Sequence, residues 1–191
     1  MPVLAIDPAE AMRTRREALP RRTERLVLRT LRPDDIDAVR SYRNAPGQRR
    51  WTYKRDQTEA ELMAWTAGGA PVLLRDGDAA QLGIELDGRL VGDLMLRITS
   101  LASRQAELGW MVGAEAQGNG VATEAVRAAL ELAFAVGVHR VIAHLDEENV
   151  ASQMVAERIG MTVEARHVDD EVNPATGEFC TSLVLAVRRA E

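Results

Sequence analysis

The sequence predicts an α/β domain, more narrowly α+β, on a mixed, mostly antiparallel sheet of about seven strands flanked by about four helices. Three stretches carry that expectation. Gln81–Leu86, the turn Asp87-Gly88 and Arg89–Ile98 read as a hairpin, and Arg104–Val112 extends it into an antiparallel meander. Gln117-Gly118-Asn119-Gly120-Val121-Ala122 is a glycine-bearing loop that runs into a long apolar helix ending near Val136. After Gly137 come a strand (Val138–Leu145), a helix (Val150–Ile159) and two strands (Met161–Val168 and Phe179–Val187).

The remaining elements follow in chain order. Asp7-Pro8-Ala9-Glu10 has the form of a capping box, so Pro8–Leu19 is expected to be helical within a basic N-terminal arm, residues 1–22. A single domain is expected over residues 23–191. Thr23–Arg29 alternates apolar and polar residues as a half-buried strand does. Pro33-Asp34-Asp35 opens a helix that Asn44-Ala45-Pro46-Gly47 ends. Trp51-Thr52-Tyr53 is an aromatic cluster in a chain with only 4% aromatics, and Thr58-Glu59-Ala60-Glu61 starts a helix reaching Ala67. Gly92, inside a strand, marks a bulge. Asn149 is a good N-cap, Gly160 a helix stop, and Asn173–Gly177 the turn before the last strand.

Composition narrows the function. A chain of 191 residues with 46% hydrophobic and 28% charged residues is an ordinary globular protein. Its net charge of −5 disfavours nucleic acid as the main partner, because a phosphate backbone selects a basic face. Cys180 is the single cysteine, and His139, His144 and His167 lack metal-ligand spacing, so neither a disulfide nor a metal is expected. No apolar run is long enough to cross a bilayer, and the acid-bearing start MPVLAIDPAE is unlike a leader peptide. The expectation is a cytoplasmic monomer or homodimer without a membrane partner.

The glycine loop carries the chemistry. Glycine lets a ligand approach the backbone, and the helix start adds free N–H groups and the positive end of the dipole. Together they suit phosphate oxygens, and no lysine or arginine lies within the loop to share the task. A nucleotide triphosphatase is disfavoured by the missing lysine of its loop. A dinucleotide fingerprint is disfavoured by Thr123 in the third glycine position and by the antiparallel strand before the loop. A glycine-rich helix entry without a ligand is the alternative.

Q-x-x-G-x-A over Gln117–Ala122, E-L-G-W-M-V over Glu107–Val112 and N-V-A-S-x-x-V-A-E-R-I-G-M over Asn149–Met161 resemble the signatures of GNAT-superfamily N-acetyltransferases. T-E-R-L-x-L-R at Thr23 followed by R-P-x-D resembles the start of the RimJ/RimL type, and the resemblance runs from about Thr23 to Arg188. It implies the GNAT fold, with a V-shaped splay after the strand that precedes the loop. It implies acetyl-CoA as cosubstrate, its pantetheine arm pairing with Trp110, Met111 and Val112. Its pyrophosphate would lie on Gln117, Gly118, Asn119, Gly120, Val121, Ala122 and Thr123.

By the same resemblance Ser152 would donate to the departing sulfur and Asn149 would touch the cofactor, since no tyrosine lies on the helix after Leu145. Helix cap and ordinary first-turn serine are the plain alternatives for those two residues. Glu107 and Glu171 are candidate bases, with a solvated acidic loop as the alternative for Asp169-Asp170-Glu171. Trp51 and Tyr53, with Trp65, fall in the segment that walls the acceptor pocket in this superfamily. Cys180-Thr181 follows Phe179 where the family usually has an aspartate, which loosens any inference about the acceptor. The resemblance implies direct attack of a primary amine in a ternary complex, a protein N-terminal α-amine first. Acetylation of an aminoglycoside or polyamine, or a non-catalytic acyl-CoA-binding module, are the alternatives.

Overall fold

A computed structural model describes residues 19–52, 56–67, 73 and 75–190, so residues 8–18 of the expected arm helix and Tyr53 lie outside the described part. Eight strands form one sheet: β1 (Arg21–Arg22), β2 (Leu26–Thr30), β3 (Ala79–Leu86), β4 (Arg89–Ser100), β5 (Gln105–Val112), β6 (Arg140–Asp146), β7 (Thr162–Val172) and β8 (Phe179–Arg188). Among the described residues the helices are α1 (Ile36–Arg43), α2 (Arg49–Thr52), α3 (Glu59–Thr66), α4 (Val121–Ala135) and α5 (Val150–Arg158). None of them is long and apolar enough to cross a membrane. The sheet order is β1-β2-β3-β4-β5-β6-β8-β7, antiparallel throughout except between β5 and β6.

Three departures from the sequence expectation have a local reason. The strand expected from Thr23 begins at Leu26, because the Thr23 hydroxyl accepts the Leu26 N–H at 2.9 Å and folds residues 23–26 into a turn. Arg22 then pairs with Val27, which adds the short strand β1. The acidic run Asp169-Asp170-Glu171 is not a loop but part of β7, where the register to β8 shifts between His167 and Glu171 and Asp169 adopts φ 49°. The Gly92 bulge is present: Ile84 pairs with Gly92 and Glu85 with Leu90, leaving Val91 as the extra residue.

One face of the sheet is covered by α4 and α5. Ala125, Ala129 and Ala133 are fully buried, and these small side chains let α4 lie close on Leu94, Leu108 and Val141. Each large side chain buried here contributes roughly 1.5–3 kcal/mol. On the other face α1 and α3 pack Val39, Tyr42 and Leu62 around Leu31 and Met111. Thr58 and Glu61 close a capping box that starts α3. Asp93 anchors α1 from beneath: its carboxylate accepts the Tyr42 hydroxyl at 2.7 Å and Arg43 Nε at 2.8 Å, while the Arg43 guanidinium lies 3.9 Å from the Trp65 ring centre.

Two features of β5 prepare the site. Its ladder with β6 spans only Gln105–Glu107 against Arg140–Ile142, so Leu108–Val112 and Ala143–Asp146 diverge without pairing. That divergence is the expected splay. On its other edge β5 needs Gly92, because a Cβ there would sit 2.3 Å from the Met111 carbonyl oxygen. Gly92→Ala is therefore expected to push β4 off β5 and lower stability by about 2 kcal/mol, measured as a fall in thermal midpoint; an unchanged midpoint would mean that the contact relaxes freely.

Candidate active site

At the end of β5 the chain makes a 3-10 turn over Ala114–Ala116 and enters the glycine loop. Gly118 and Gly120 have φ of 77° and 75°, a left-handed conformation that favours glycine. Gly120 is the N-cap of α4 and supplies no side-chain cap, so the first helical N–H groups remain for a ligand. Residues 117–120 are exposed, whereas Val121 is buried and pins the start of α4 to the core. Gln117 turns its amide back, Nε2 donating to the Val112 carbonyl at 2.8 Å. It braces the loop and occupies one backbone acceptor of the splayed strand.

Arg25 was not visible as a site residue from spacing. Its Nη1 donates to the Asn119 carbonyl at 3.0 Å, and its Nη2 lies 3.5 Å from where a Gly120 Cβ would stand. Glu124, in the first turn of α4, holds it there: Arg25 Nε donates to Oε2 at 2.8 Å, the Arg25 N–H to Oε1 at 3.0 Å, and Thr23 Oγ1 to Oε1 at 2.6 Å. Against the effect of burial, these bonds keep the Glu124 carboxyl below its ordinary pKa. A cation thus reaches the loop from β1–β2. The T-E-R-L pattern contained the signal, but only the fold gave it a place. Beyond Arg25 an open basin of about 570 Å³ carries Arg21, Arg22, Arg127 and Arg158.

The other arm of the splay ends in α5. Asn149 accepts the Ser152 N–H on Oδ1 at 3.1 Å, so the cap is real and its Nδ2 remains for other partners. The half-buried Ser152 hydroxyl has no hydrogen-bond partner among the described residues. Tyr42, the tyrosine that is described, is buried under α1, and burial together with Asp93 raises its pKa far above the usual phenol value. It is no proton donor for this site.

On the face carrying α1 and α3, Glu107 lies on β5 with its side chain 13% exposed. Arg97 is bonded to it, and His144 Nδ1 stands 3.6 Å from Oε1. His144 and Arg97 hold the Glu107 carboxyl below its ordinary range in spite of burial. Glu171 is exposed on the same face, two strands beyond His144. Higher on this face a cleft of about 160 Å³ opens between α2, the β6–α5 connection and the β7–β8 turn. Asn173 Nδ2 donates to the Arg50 carbonyl at 2.7 Å and Arg50 pairs with Glu148, which joins the three walls. Asp146, Glu147, Glu148, Asp169 and Glu178 line the cleft. Trp51, the next residue of α2, is half-buried and has the Arg50 guanidinium 4.9 Å from its ring centre. Trp65 is core, packed on the cluster around Met111.

A free strand edge leading to an anion-binding helix start fits an extended chain of amides that ends in a pyrophosphate. Comparison with known proteins agrees. Residues 25–162 match the family model described as the acetyltransferase (GNAT) domain. The chain is 29% identical to an uncharacterised N-acetyltransferase of Bacillus subtilis, YnaD, over 147 residues, which is 73% of this chain and 80% of that one. Among solved structures it is similar to Mycobacterium smegmatis RimJ in complex with a CoA-disulfide: TM-score 0.71, 27% identity, 85% of this chain and 81% of that one. The spermidine N-acetyltransferase of Vibrio cholerae, solved with CoA and spermine, shares the fold: TM-score 0.75, 20% identity, 87% of this chain and 96% of that one. With the splayed strand, the glycine loop and a family model that spans most of the chain, the protein belongs to the GNAT family and is an acetyl-CoA-dependent N-acetyltransferase.

Proposed function

We propose that the enzyme acetylates the α-amine of a protein N-terminus by direct attack within a ternary complex. The observation that carries this reading is the acid-lined cleft with an apolar rim at the mouth of the splay. Of its five acids Glu148 and Glu147 are paired with Arg50 and Arg166, and the acidic excess that Asp146, Asp169 and Glu178 add favours an ammonium group there. Phe179 and Val172, 69% and 51% exposed, lie together at the rim, where the first side chains of a peptide would rest. An α-amine has a pKa near 7.7–8.0, so a modest base suffices to free it.

The chain's own residues divide the remaining work. The N–H groups of Gly120–Thr123, with Arg25 beside them, would take the pyrophosphate. The free edge of Gly109–Val112 would pair with the pantetheine amides, the Val112 carbonyl excepted. At the start of α5, Asn149 Nδ2 would touch the cofactor and the Ser152 hydroxyl would donate toward the sulfur. Bound acetyl-CoA supplies the activated acyl group. Trp51, next to Arg50, would help wall the acceptor cleft.

Density of acid is the observation that favours a second reading, a polyamine acceptor. Release of CoA, followed with a panel of unblocked peptides in parallel with spermidine and an aminoglycoside, separates the two. Peptides are expected to be turned over with kcat/KM at least tenfold above the small amines, and blocking their N-terminus should abolish turnover. Preference for spermidine would establish the second reading. Acetyl-CoA binding without any transfer would leave only an acyl-CoA-binding module.

A further inference from the structure

The geometry points to His144 as the group that takes the proton from the acceptor amine, with Glu107 as the residue that positions it. This rests on the acetyl-transfer reading above and adds the path of the proton. Glu107 and Ile142 form the last paired position of β5 and β6. His144 is two residues further along β6, on the same face as Ile142, and so stands at the vertex of the splay. An acyl chain entering along β5 from the phosphate site would run toward this vertex past the unpaired edge of Leu108–Val112. Asp146, which lines the acidic cleft, is the next residue on that face, about 6–7 Å beyond His144. The imidazole therefore lies between the place where an ammonium group collects and the place where the thioester arrives.

Its surroundings suit the task better than those of either carboxylate. Nδ1 faces Glu107 Oε1 at 3.6 Å, which leaves Nε2 on the open side, and the side chain is 50% exposed. The charged groups facing it are Glu107 from β5, Arg97 from β4 and Glu171 from β7, while its partner on β8 is the neutral Val184. Glu107, against the effect of burial, raises the imidazole above its ordinary pKa; Glu171 adds to this and Arg97 opposes it. Glu107 itself is held charged by Arg97 and His144, which makes it a weak base and a good anchor.

In the step, neutral Nε2 accepts one proton from the ammonium group. The freed nitrogen lone pair forms the C–N bond at the thioester carbonyl, and the C–S bond breaks with its electron pair leaving on sulfur. The nitrogen's second proton passes to the thiolate. The amide and the CoA thiol result, and His144 returns its proton to solvent, so one proton is released per turnover.

The test is the pH dependence of kcat at saturating acetyl-CoA, with an unblocked basic hexapeptide and with spermidine as probes. For the wild type, kcat should rise through a midpoint above the ordinary imidazole value, at the same pH with both amines. His144→Gln should lose that limb and at least tenfold in kcat at neutral pH, with KM for acetyl-CoA within twofold. Glu107→Gln should move the limb to lower pH and recover most of the wild-type kcat above it, a pattern that mere loss of structure would not produce. A limb that persists in His144→Gln, or that does not move in Glu107→Gln, overturns the assignment while acetyl transfer stands. A wild type that acetylates neither probe nor any amine of the wider panel removes the acetyl-transfer reading, and this inference with it.

Discussion

Replacing Gly120 with valine is expected to weaken acetyl-CoA binding at least a hundredfold, about 2.7 kcal/mol, while the chain stays folded. Gly120 has φ 75° and caps α4 without a side chain of its own. A β-branched residue held at positive φ costs on the order of 1–3 kcal/mol, so the loop would relax toward negative φ and turn its N–H groups away from the ligand. If it did not relax, the branched side chain would stand over the helix start, in the space a phosphate oxygen needs. The protein leaves that space open: the nearest atom to a Cβ at Gly120 is Arg25 Nη2, at 3.5 Å. The fold should survive, since Val121 and the buried alanines of α4 hold the helix whatever its cap does. Calorimetry gives the affinity. A melting scan gives a second readout, because wild-type protein at a hundred times its dissociation constant should gain roughly 2.7 kcal/mol and the variant almost none. Unchanged affinity in a folded variant would reduce Gly120 to a structural turn.

What could be read from the sequence was what is decided locally. The Asp87-Gly88 hairpin, the Gly118–Gly120 loop, the Asn149 cap and the α4 periodicity each depend on neighbouring residues, and each stands where expected. The bulge at Gly92 was legible as well, because glycine inside a strand signals close backbone approach, here the Met111 carbonyl. The parts that escaped are made by distant pairs. Arg25 meets the loop across 94 residues, aimed there by the turn that Thr23 makes and by its bonds to Glu124. His144 finds Glu107 across the one parallel junction of the sheet, where spacing along the chain carries no information. The side chain of Gln117 bonds the Val112 carbonyl, five residues back but on the far side of the 3-10 turn, because a strand that leaves its ladder must satisfy its backbone elsewhere. Asp169–Glu171 looked like a loop by composition, but pairing of Val172 with Phe179 carries β7 past them and a bulge absorbs the misfit.

Ser152→Ala is expected to lower kcat about a hundredfold, the usual effect of removing one donor aimed at developing charge, with acetyl-CoA affinity within twofold of the wild type. Ser152 is in the first turn of α5, at the end of the β6 arm of the splay, with its N–H taken by Asn149 and its hydroxyl without a partner among the described residues. The helix start adds its own positive potential at that point, which favours a thiolate forming beside it. No tyrosine lies on α5, and Tyr42 is locked on Asp93, so neither replaces the serine. A hydroxyl is too weak an acid to give up its proton early. Its help is a hydrogen bond that strengthens as the C–S bond breaks, and it therefore belongs in kcat rather than in binding. Alanine suits a helix interior and leaves the Asn149 cap intact, because the cap uses the backbone N–H of residue 152. Ser152→Thr, which keeps the hydroxyl, should retain most of the rate. Loss of acetyl-CoA affinity with kcat unchanged would move the serine to the pantetheine arm instead. A small effect on both would mean that water protonates the departing sulfur.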